Sequence, residues 1–327
     1  MSEAELTATA LAGEGLLVAS RPVVVLLSGG RDSTCLLDLA IATCGRDYVT
    51  ALHLNYGLRD AADADERHCI ELCSRLGVGI EVGRPRRPER GNLQAWARDA
   101  RYGAAAKLAR GRGADVAAGH TATDQVETIL YRLASSPSRR ALLGMRPREG
   151  ILVRPLLRFT RAQTAEYCRG RGLQWREDES NRSAEFARGR IRANLVPALR
   201  EVHPAAEENV LALAELLRDE AAVLDELVDG VLGGQEEIEL ATLRALAPAL
   251  RRLVVQRLAD RAAGGFAPGV ARRADEVAEL PLVGESALDL PHVRAAVSRG
   301  RLRFARRTAS AGQRETHTKS ARSAPIN

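Results

Sequence analysis

Residues 23–33 read VVVLLSGGRDS, and this stretch decides the fold of the chain. Its first five residues form an apolar run that is typical of a buried parallel strand, and TCLLDLA at 34–40 has the composition of a helix. Gly29 and Gly30 permit a tight turn between the two, while serine hydroxyls and the amino end of the helix favour an anion. The stretch therefore predicts a strand, a phosphate-binding loop and a helix.

Two common phosphate-binding loops are excluded by the residues around this turn. A Walker A loop requires Gly-Lys before Ser or Thr, but neither Lys107 nor Lys319, the two lysines of the chain, follows a glycine. The dinucleotide fingerprint G-x-G-x-x-G after a strand is absent too. The remaining pattern, S-G-G-x-D-S, resembles the pyrophosphate-binding loop of the N-type ATP pyrophosphatases. The alternative is an ordinary serine-capped turn that binds nothing.

Strand-like and helical segments alternate through the first half of the sequence. We predict strands at 23–27, 49–54, 79–82 and 115–119, and helices at 33–43, 61–76, 92–112 and about 124–134. This alternation predicts an α/β fold, with a parallel twisted sheet that carries helices on both faces. Because ligands bind beyond the carboxyl ends of such strands, the loops that follow them should converge on one site.

The second half of the sequence is mainly helical. We predict a connector helix at about 205–232 with one apolar stripe and acidic flanks, helices at 240–263 and near 268–280, and a short strand region near Arg303 and Phe304. The predicted domains are a catalytic domain over 1–204, the connector with a smaller, mainly α domain over 205–305, and a disordered basic tail over 306–327.

The composition indicates a globular protein. The chain has 327 residues, of which 45% are hydrophobic and 28% charged, which is enough for two domains with cores of their own. It contains no apolar run near 18 residues and begins with the acidic Glu3 and Glu5, so we predict neither a membrane span nor a secretory signal and expect a cytoplasmic protein. Five cysteines without a C-x-x-C pair predict neither a disulfide framework nor a zinc or iron–sulfur site.

The net charge of +6 is unevenly distributed. Residues 139–192 contain 14 arginines and 6 acidic residues, whereas residues 205–240 contain 11 acidic residues and a single arginine. A shortage of lysine can reflect coding bias, but a basic segment beside an acidic helix is what we expect of a protein that binds nucleic acid on one side.

Several segments downstream of the loop match one family. They are HLNYGLR at 53–59, NLQAWARDARYGAAAKLA at 92–109, GHTATDQVETILYRL at 119–133, TRAQTAEYCRGRGLQWREDESNRS at 160–183 and RGRIRANLVPALREVHP at 188–204. In this order and spacing they resemble the tRNA(Ile)-lysidine synthases, members of the PP-loop superfamily. The resemblance covers most of residues 20–230 and is loose beyond them.

The resemblance implies a C–N ligase that adds free lysine to the wobble cytidine of the CAU anticodon of isoleucine tRNA. ATP would adenylate the 2-carbonyl oxygen of cytosine with release of pyrophosphate, and the lysine amine would then displace AMP. The implied ligands are ATP, Mg²⁺, lysine and tRNA. The oligomeric state is left open, with a homodimer among the options.

We expect the site residues to fall into three groups. The candidate catalytic residues are Asp32, which would also hold the metal, together with Asp124, Glu127 and Arg101. The candidate ATP-binding residues are Ser28, Gly29, Gly30, Arg31, Asp32, Ser33 and His53. The candidate tRNA-binding residues are Arg59, Arg139, Arg140, Arg188, Arg190 and Arg192.

Some of these residues have ordinary alternatives. Asp124 and Glu127 can be a capping box that starts a helix, His53 can be a packed histidine at a strand end, and the arginines can form a solvated surface. The sequence also departs from the family pattern: Thr123 replaces an aspartate, Tyr56 a histidine, and ASSPSRRALLGM at 134–145 lacks most glycines of the usual loop. A PP-loop tRNA thiolation enzyme and a catalytically degenerate tRNA-binding protein are therefore alternatives.

Overall fold

The computed structural model describes residues 15–58, 61–136, 138–176 and 187–307, and the chain divides into two units at Arg218. Unit 1 contains a six-stranded sheet. Its strands are β1 (Val23–Leu26), β2 (Val49–Leu54), β3 (Gly79–Gly83), β4 (Asp115–Ala117), β5 (Arg148–Glu149) and β6 (Leu152–Val153). Their order is β3-β2-β1-β4-β6-β5, and all neighbours are parallel except β5 and β6, which form an antiparallel hairpin. The predicted α/β class is confirmed, and the edge hairpin adds to it.

The helices of unit 1 follow the strands closely. They are α1 (Arg31–Cys44), α2 (Ala62–Leu76), α3 (Leu93–Arg112), α4 (Ala122–Ser135), the short α5 (Arg139–Leu142), α6 (Arg161–Gly170), α7 (Ala187–Arg190) and α8 (Val196–Val202). A π-helical segment, Ile191–Leu195, joins α7 to α8. Helix α9 (Ala206–Leu232) begins in unit 1 and ends in unit 2.

Both faces of the sheet are covered, because successive β1 residues contribute to different cores. Val23 and Val25 belong to a cluster that includes residues of α1, α2 and α6, whereas Val24 packs with Ala105 and Ala109 of α3. Neighbouring side chains of a strand point to opposite faces, so a central strand flanked by helices must be apolar at every position. This explains the unbroken apolar run at the start of the deciding stretch.

A buried polar contact fixes α6 against α1. Asp38 of α1 accepts hydrogen bonds from the Tyr167 hydroxyl at 2.7 Å and from Arg171 Nε at 2.9 Å. Burial and the bond to Asp38 raise the pKa of Tyr167, so its hydroxyl remains a donor. Since α6 carries Arg161 and Thr164 at its amino end, this contact positions two residues of the site described below.

The strand order creates a crevice beside β1. The chain runs from β1 through β2 to β3 on one side, and then returns to place β4 on the other side of β1. In sheets of this kind the point where the order reverses is where ligands bind, outside the carboxyl ends of the strands. The loops after β1 and β4 flank this point.

Unit 2 combines an antiparallel sheet with helices. Its sheet has the order β7-β10-β9-β8, from β7 (Glu237–Glu239), β8 (Ser286–Asp289), β9 (Val293–Ser298) and β10 (Arg301–Arg306). Its helices after α9 are α10 (Leu240–Ala245), α11 (Pro248–Ala263) and α12 (Ala274–Ala278). The sheet is larger than the short strand region expected near 303–304.

Two predictions of element bounds in this half are wrong. The helix expected at 240–263 is interrupted, because Leu246 is extended and Pro248 is the first residue of α11. The basic tail was expected from residue 306, but Arg306 is the last residue of β10 and Arg307 still donates its backbone N–H to His292. The predicted domain boundary at 204 precedes α9, whereas the division into units falls inside that helix.

Within the described ranges, every helix is too short or too polar to cross a bilayer.

Candidate functional site

The loop after β1 is closed by its own serines. Ser28 donates its backbone N–H to Ser33 Oγ at 3.2 Å, the two hydroxyl oxygens lie 3.1 Å apart, and Ser33 Oγ donates to the Gly30 carbonyl at 2.8 Å. Gly29 has φ of +81°, which favours glycine. No described side chain caps α1 at Gly30, so the first N–H groups of this helix remain directed at the crevice. The backbone can therefore bind phosphate oxygens.

The end of β4 packs directly against this loop. A Cβ atom on Gly119 would lie 3.1 Å from the carbonyl carbon and oxygen of Asp32 and 3.2 Å from the Ser33 nitrogen. These contacts are with backbone atoms at the start of α1, which cannot swing aside as a side chain can. Glycine at 119 is therefore needed for the close approach of the two loops.

Replacing Gly119 by alanine should displace the phosphate loop. Overpacking of this kind costs about 1–3 kcal/mol of unfolding free energy, and we expect ATP affinity to fall about tenfold because the displaced atoms belong to the loop. Equilibrium unfolding and ATP titration calorimetry measure both effects. The matched control is Gly103→Ala on α3, where a Cβ atom meets nothing within 4 Å and the protein should be unchanged or slightly more stable. Equal ATP affinity in the two variants would contradict the prediction.

A cavity of about 640 Å³ opens over the loop at the carboxyl edge of the sheet. Its lining combines apolar residues, among them Leu26, Leu52 and Leu54, with polar and charged ones. Residues of every segment around the crevice contribute, including Ser28, Gly30, Asp32, Ser33, Tyr56, Arg101, Tyr102, Gly119, His120, Asp124, Arg161, Trp175, Arg176 and Arg192. A cavity with apolar lining residues, a phosphate-binding loop and charged groups suits a nucleotide.

Three carboxylates meet at Arg161, the first residue of α6. Its guanidinium lies 2.5 Å from Asp124, 3.2 Å from Glu127 and 3.7 Å from Asp32. Asp32 also accepts hydrogen bonds from Thr164 Oγ1 and from Arg31 Nε, at 2.5 and 3.0 Å. Thus one arginine bridges acidic groups that come from two different helices, and it neutralises part of their charge.

Glu127 is enclosed by a second arginine. Arg192 makes a bidentate contact with its carboxylate, at 2.7 and 2.8 Å, and the hydrogen bond raises the pKa of this arginine. Arg192 lies in the π-helical segment, a geometry that is frequent at functional sites. Only 3% of the Glu127 side chain is exposed, compared with 21% for Asp124 and 20% for Asp32. Asp32 and Asp124 are thus the carboxylates that a ligand can reach.

Asp124 takes part in a helix cap and also lines the cavity. Helix α4 begins at Ala122, and the capping box pairs Thr121 with Asp124 rather than Asp124 with Glu127. Burial alone would raise the pKa of Asp124, but Arg161 and the bonds from Thr121 outweigh it, and the pKa is lowered. Asp124 therefore stays ionised while its second oxygen faces Arg161.

His120 is held neutral beside this cluster. Burial lowers its pKa to about 4 and outweighs the attraction of the imidazolium to Asp124. Its Nδ1 has no hydrogen-bond partner among the described residues. The imidazole thus lies against the cavity without adding positive charge, and its Nδ1 is buried.

The low pKa of His120 predicts a pH dependence of stability. Because the folded pKa of about 4 lies below the ordinary value of 6.5, His120 contributes stability that is present above pH 6.5 and is lost as the pH falls towards 4. We expect an NMR titration of the six histidines to show one resonance that titrates near pH 4 and that disappears in His120→Gln. If all histidines of the wild type titrate near pH 6.5, the prediction is wrong.

Of the predicted residues Arg101 and His53, Arg101 lines the cavity and His53 does not. Arg101 lines it, donates from Nε to the Tyr56 hydroxyl at 3.2 Å and lies over the Tyr56 ring. His53 is buried behind the loop, with Nδ1 2.9 Å from the Leu27 carbonyl oxygen, and is absent from the cavity lining. This placement favours the packed alternative for His53, while its predicted role in ATP binding stays a prediction.

The candidate tRNA-binding arginines are spread over several elements. Arg139 and Arg140 lie on the short α5, Arg188 and Arg190 on α7, and Arg192 turns into the cavity. Arg59 lies outside the described residues, as do Glu177, Asp178, Ser180 and Asn181 of the matching segment near Trp175.

The segment that lacks the family glycines is still fixed at its end. Gln125 receives a hydrogen bond from the Met145 N–H at 2.6 Å and donates to the Met145 carbonyl at 2.9 Å. Arg132 donates to the Gly144 carbonyl at 2.7 Å. Gly144 has φ of +63°, and a Cβ atom there would lie 2.7 Å from Gln125 Oε1. The retained glycine is therefore the one that this contact requires.

Sequence reasoning missed Arg161, Arg176 and His120 as site residues. Arg161 follows Thr160 in a T-x-x-Q capping box, which marks the start of a helix but says nothing of the carboxylates opposite. Arg176 donates its backbone N–H to the Gly29 carbonyl and pairs with Asp65 at 2.5 Å. Its position beside the loop depends on how the chain returns after α6, which local patterns do not reveal.

Comparisons with known proteins agree with this geometry. A family model described as a PP-loop domain matches residues 3–199. Curated tRNA(Ile)-lysidine synthases are similar in sequence. The synthase of Pseudomonas putida is 36% identical, over 71% of this chain and 58% of the relative. The synthase of Symbiobacterium thermophilum is 37% identical, over 89% of this chain and 67% of the relative. The synthase of Dehalococcoides mccartyi is 32% identical, over 85% of this chain and 65% of the relative. The chain thus spans about three fifths to two thirds of these relatives.

A solved structure shares the fold. The U34-tRNA thiolase NcsA from Methanococcus maripaludis, which holds a [4Fe-4S] cluster, superposes with a TM-score of 0.54 at 15% identity and covers 66% of this chain and 78% of its own. At this identity the similarity shows the architecture alone.

Proposed function

The chain belongs to the PP-loop family and, within it, to the tRNA(Ile)-lysidine synthases, and from this we propose that it ligates free lysine to the wobble cytidine of isoleucine tRNA with a CAU anticodon. The observation that carries the proposal is the placement of two accessible carboxylates, Asp32 and Asp124, beside a phosphate-binding loop in one cavity. The reaction needs these features together, because it uses a nucleoside triphosphate and a cationic amino acid.

The loop supports the first step. The backbone N–H groups at the start of α1 would hold the β and γ phosphates, and the helix dipole would stabilise their charge. The 2-carbonyl oxygen of cytosine attacks the α-phosphorus, an O–P bond forms, and the bond to pyrophosphate breaks. The base becomes adenylated at that oxygen, which turns a poor leaving group into AMP.

Mg²⁺ fits the donors that are present. It prefers carboxylate and phosphate oxygens and is commonly bound by one or two carboxylates plus substrate phosphates, as Asp32 and Asp124 could provide. The ion would neutralise charge on the phosphates. Among the described residues, no group of three or more His, Cys, Asp or Glu is arranged to hold a metal ion. Thr164 and Arg31 donate hydrogen bonds to Asp32 and would hold its carboxylate towards the loop.

The carboxylate cluster supports the second step. Lysine arrives as an ammonium, and Asp124, which stays ionised, would bind and orient it. The ammonium first gives up a proton, because only the neutral amine has a lone pair that can attack. As this nitrogen forms its bond to C2 of the cytosine, the C–O bond breaks and AMP leaves with the electron pair. The protons lost by the nitrogen pass to solvent by way of the cluster.

Glu127 has a positioning role in this scheme. It is almost fully buried and already accepts hydrogen bonds from Arg161 and Arg192. It therefore holds two guanidinium groups at the cavity wall, where Arg192 can face phosphate or the adenylated base. Arg101, fixed by Tyr56, would face the opposite side of the substrate.

The thiolation alternative has less support. Thiolation through a protein persulfide needs a reactive cysteine at the site. All five cysteines are buried and absent from the cavity lining, and burial raises the pKa of Cys69 to about 12. The other alternative, a catalytically degenerate tRNA-binding protein, is tested by the assay of lysine incorporation.

Purified protein should be incubated with ATP, radiolabelled lysine and isoleucine tRNA with a CAU anticodon. We expect lysine-dependent label in the tRNA, with release of AMP and pyrophosphate. Methionine tRNA, which shares the anticodon, is the control and should stay unlabelled. Retained tRNA binding without label or pyrophosphate release would favour a binding protein without activity, and release that depends on a sulfur donor would favour thiolation.

A further inference from the structure

The loop between β3 and α3 is strongly basic and has no role in the site described above. Residues 84–92 read RPRRPERGN, with four arginines and one acidic residue. Pro85 and Pro88 restrict the backbone, and Asn92 caps α3 by accepting hydrogen bonds from the N–H groups of Gln94 and Ala95. The segment is thus held at both ends, by a strand and by a capped helix.

Three of these arginines have no acidic partner in the part of the chain that the structure describes. Arg84 pairs with Glu66 at 2.5 Å, so its charge is neutralised. Arg86, Arg87 and Arg90 are exposed and form no ion pair with any residue that the structure describes. Like charges held together without counter-charges repel one another, so the arrangement is favourable only when a polyanion neutralises it.

The loop lies at the same edge of the sheet as the cavity. β3 runs parallel to β2 and β2 to β1, so the residues after β3 emerge at the same sheet edge as the phosphate loop, two strands away. Helix α3 continues the basic surface through Arg98 and reaches the cavity at Arg101. From Asn92 to Arg101 the helix rises about 14 Å, at 1.5 Å per residue. This length is enough for a few nucleotides of a single strand.

Aromatic rings lie along the same path. Tyr56 and Trp96 pack edge to face with 5.6 Å between ring centres, and the Arg98 guanidinium lies over the Tyr102 ring at 5.0 Å. Tyr56 and Tyr102 both line the cavity. Arginines and aromatic rings that alternate in this way suit single-stranded RNA, in which phosphates meet guanidinium groups and unstacked bases meet rings.

We infer that Arg86, Arg87 and Arg90 form an RNA-contacting surface that binds backbone phosphates of nucleotides flanking the base in the cavity. This inference rests on the proposed function for the identity of the RNA, an anticodon loop. These three arginines belong neither to the segments that match the family nor to the cavity lining.

The test compares two triple variants of the full chain. In the first, Arg86, Arg87 and Arg90 are replaced by alanine. In the matched control, Arg75, Arg110 and Arg169 are replaced by alanine; these exposed residues lie in the last turns of α2, α3 and α6, away from the carboxyl edge of the sheet. Binding of a fluorescent anticodon stem-loop of isoleucine tRNA is measured between 50 and 200 mM KCl, together with ATP affinity.

We expect the loop variant to bind the stem-loop at least tenfold more weakly at 100 mM KCl. The slope of log K against log salt should fall by about two to three, because each lost phosphate contact removes somewhat less than one released counterion. ATP affinity should equal that of the wild type, which also shows that the fold is intact. The control variant should keep the wild-type slope.

The outcomes separate this inference from the proposed activity. If the loop variant keeps the wild-type slope while the wild type still incorporates lysine, the RNA surface is wrong and the activity stands. If the loop variant loses slope and affinity but the wild type incorporates no lysine, the surface stands and the activity is wrong. Equal losses in both triple variants, or a wild type that binds no RNA, overturn the inference.

Discussion

Replacing Asp32 by asparagine should lower tRNA-dependent release of pyrophosphate by on the order of a thousandfold. The change keeps the shape of the side chain but removes a charge next to the phosphate loop, where Thr164 and Arg31 hold the carboxylate in place. Affinity for tRNA should change less than about threefold, since Asp32 is an acidic residue of the cavity lining and RNA is bound mainly through its phosphates. A coupled pyrophosphate assay and filter binding measure the two quantities.

The control for this change is Asp47→Asn. Asp47 is exposed in the short turn Arg46–Tyr48 that leads into β2, at the opposite edge of the sheet, so its loss should leave both quantities unchanged. Thermal unfolding of both variants separates lost chemistry from lost structure. Full pyrophosphate release by Asp32→Asn would show that this carboxylate has no part in the reaction.

The parts of the fold that the sequence predicts are those set by local patterns. The unbroken apolar run of β1 and the glycines after it indicate a central strand and its loop, and parallel strands bring the polar ends of β2, β3 and β4 to the same edge. Asp32, Asp124 and Arg101 are predicted from the loop and from the family resemblance, and they line one cavity.

The residues that the sequence misses depend on long-range contacts. Arg161 lies 129 positions from Asp32 in the chain, and the two meet because Tyr167 and Arg171 fix α6 against Asp38 of α1. Arg192 reaches Glu127 through a π-helical turn, which shifts the side-chain directions of a helix without a clear sequence signal. Periodicity places residues on a helix face, but it does not say which face of another helix lies opposite.

Replacing Arg161 by methionine should have the largest effect on the site as a whole. The variant keeps much of the side-chain volume but leaves Asp32, Asp124 and Glu127 without the group that bridges them. Removing one partner from a buried ion pair costs about 3–5 kcal/mol, and the partial exposure of Asp32 and Asp124 brings our expectation to about 2–4 kcal/mol of unfolding free energy. The pKa of Asp124 should rise, because Arg161 is the main group that lowers it.

The activity of this variant should fall at least a hundredfold, mainly in kcat, because the carboxylates lose their arrangement. Arg161→Lys should recover only part of it, since an ammonium is a point charge and cannot bridge three carboxylates as a planar guanidinium does. The control is Arg158→Met, three residues earlier, where an exposed pair with Glu215 at 3.9 Å is worth less than about 1 kcal/mol. If Arg161→Met has the same unfolding free energy and the same rate of lysine ligation as Arg158→Met, Arg161 is not what organises the three carboxylates. The acidic cluster would then have to be held by Arg31 and Arg192 alone.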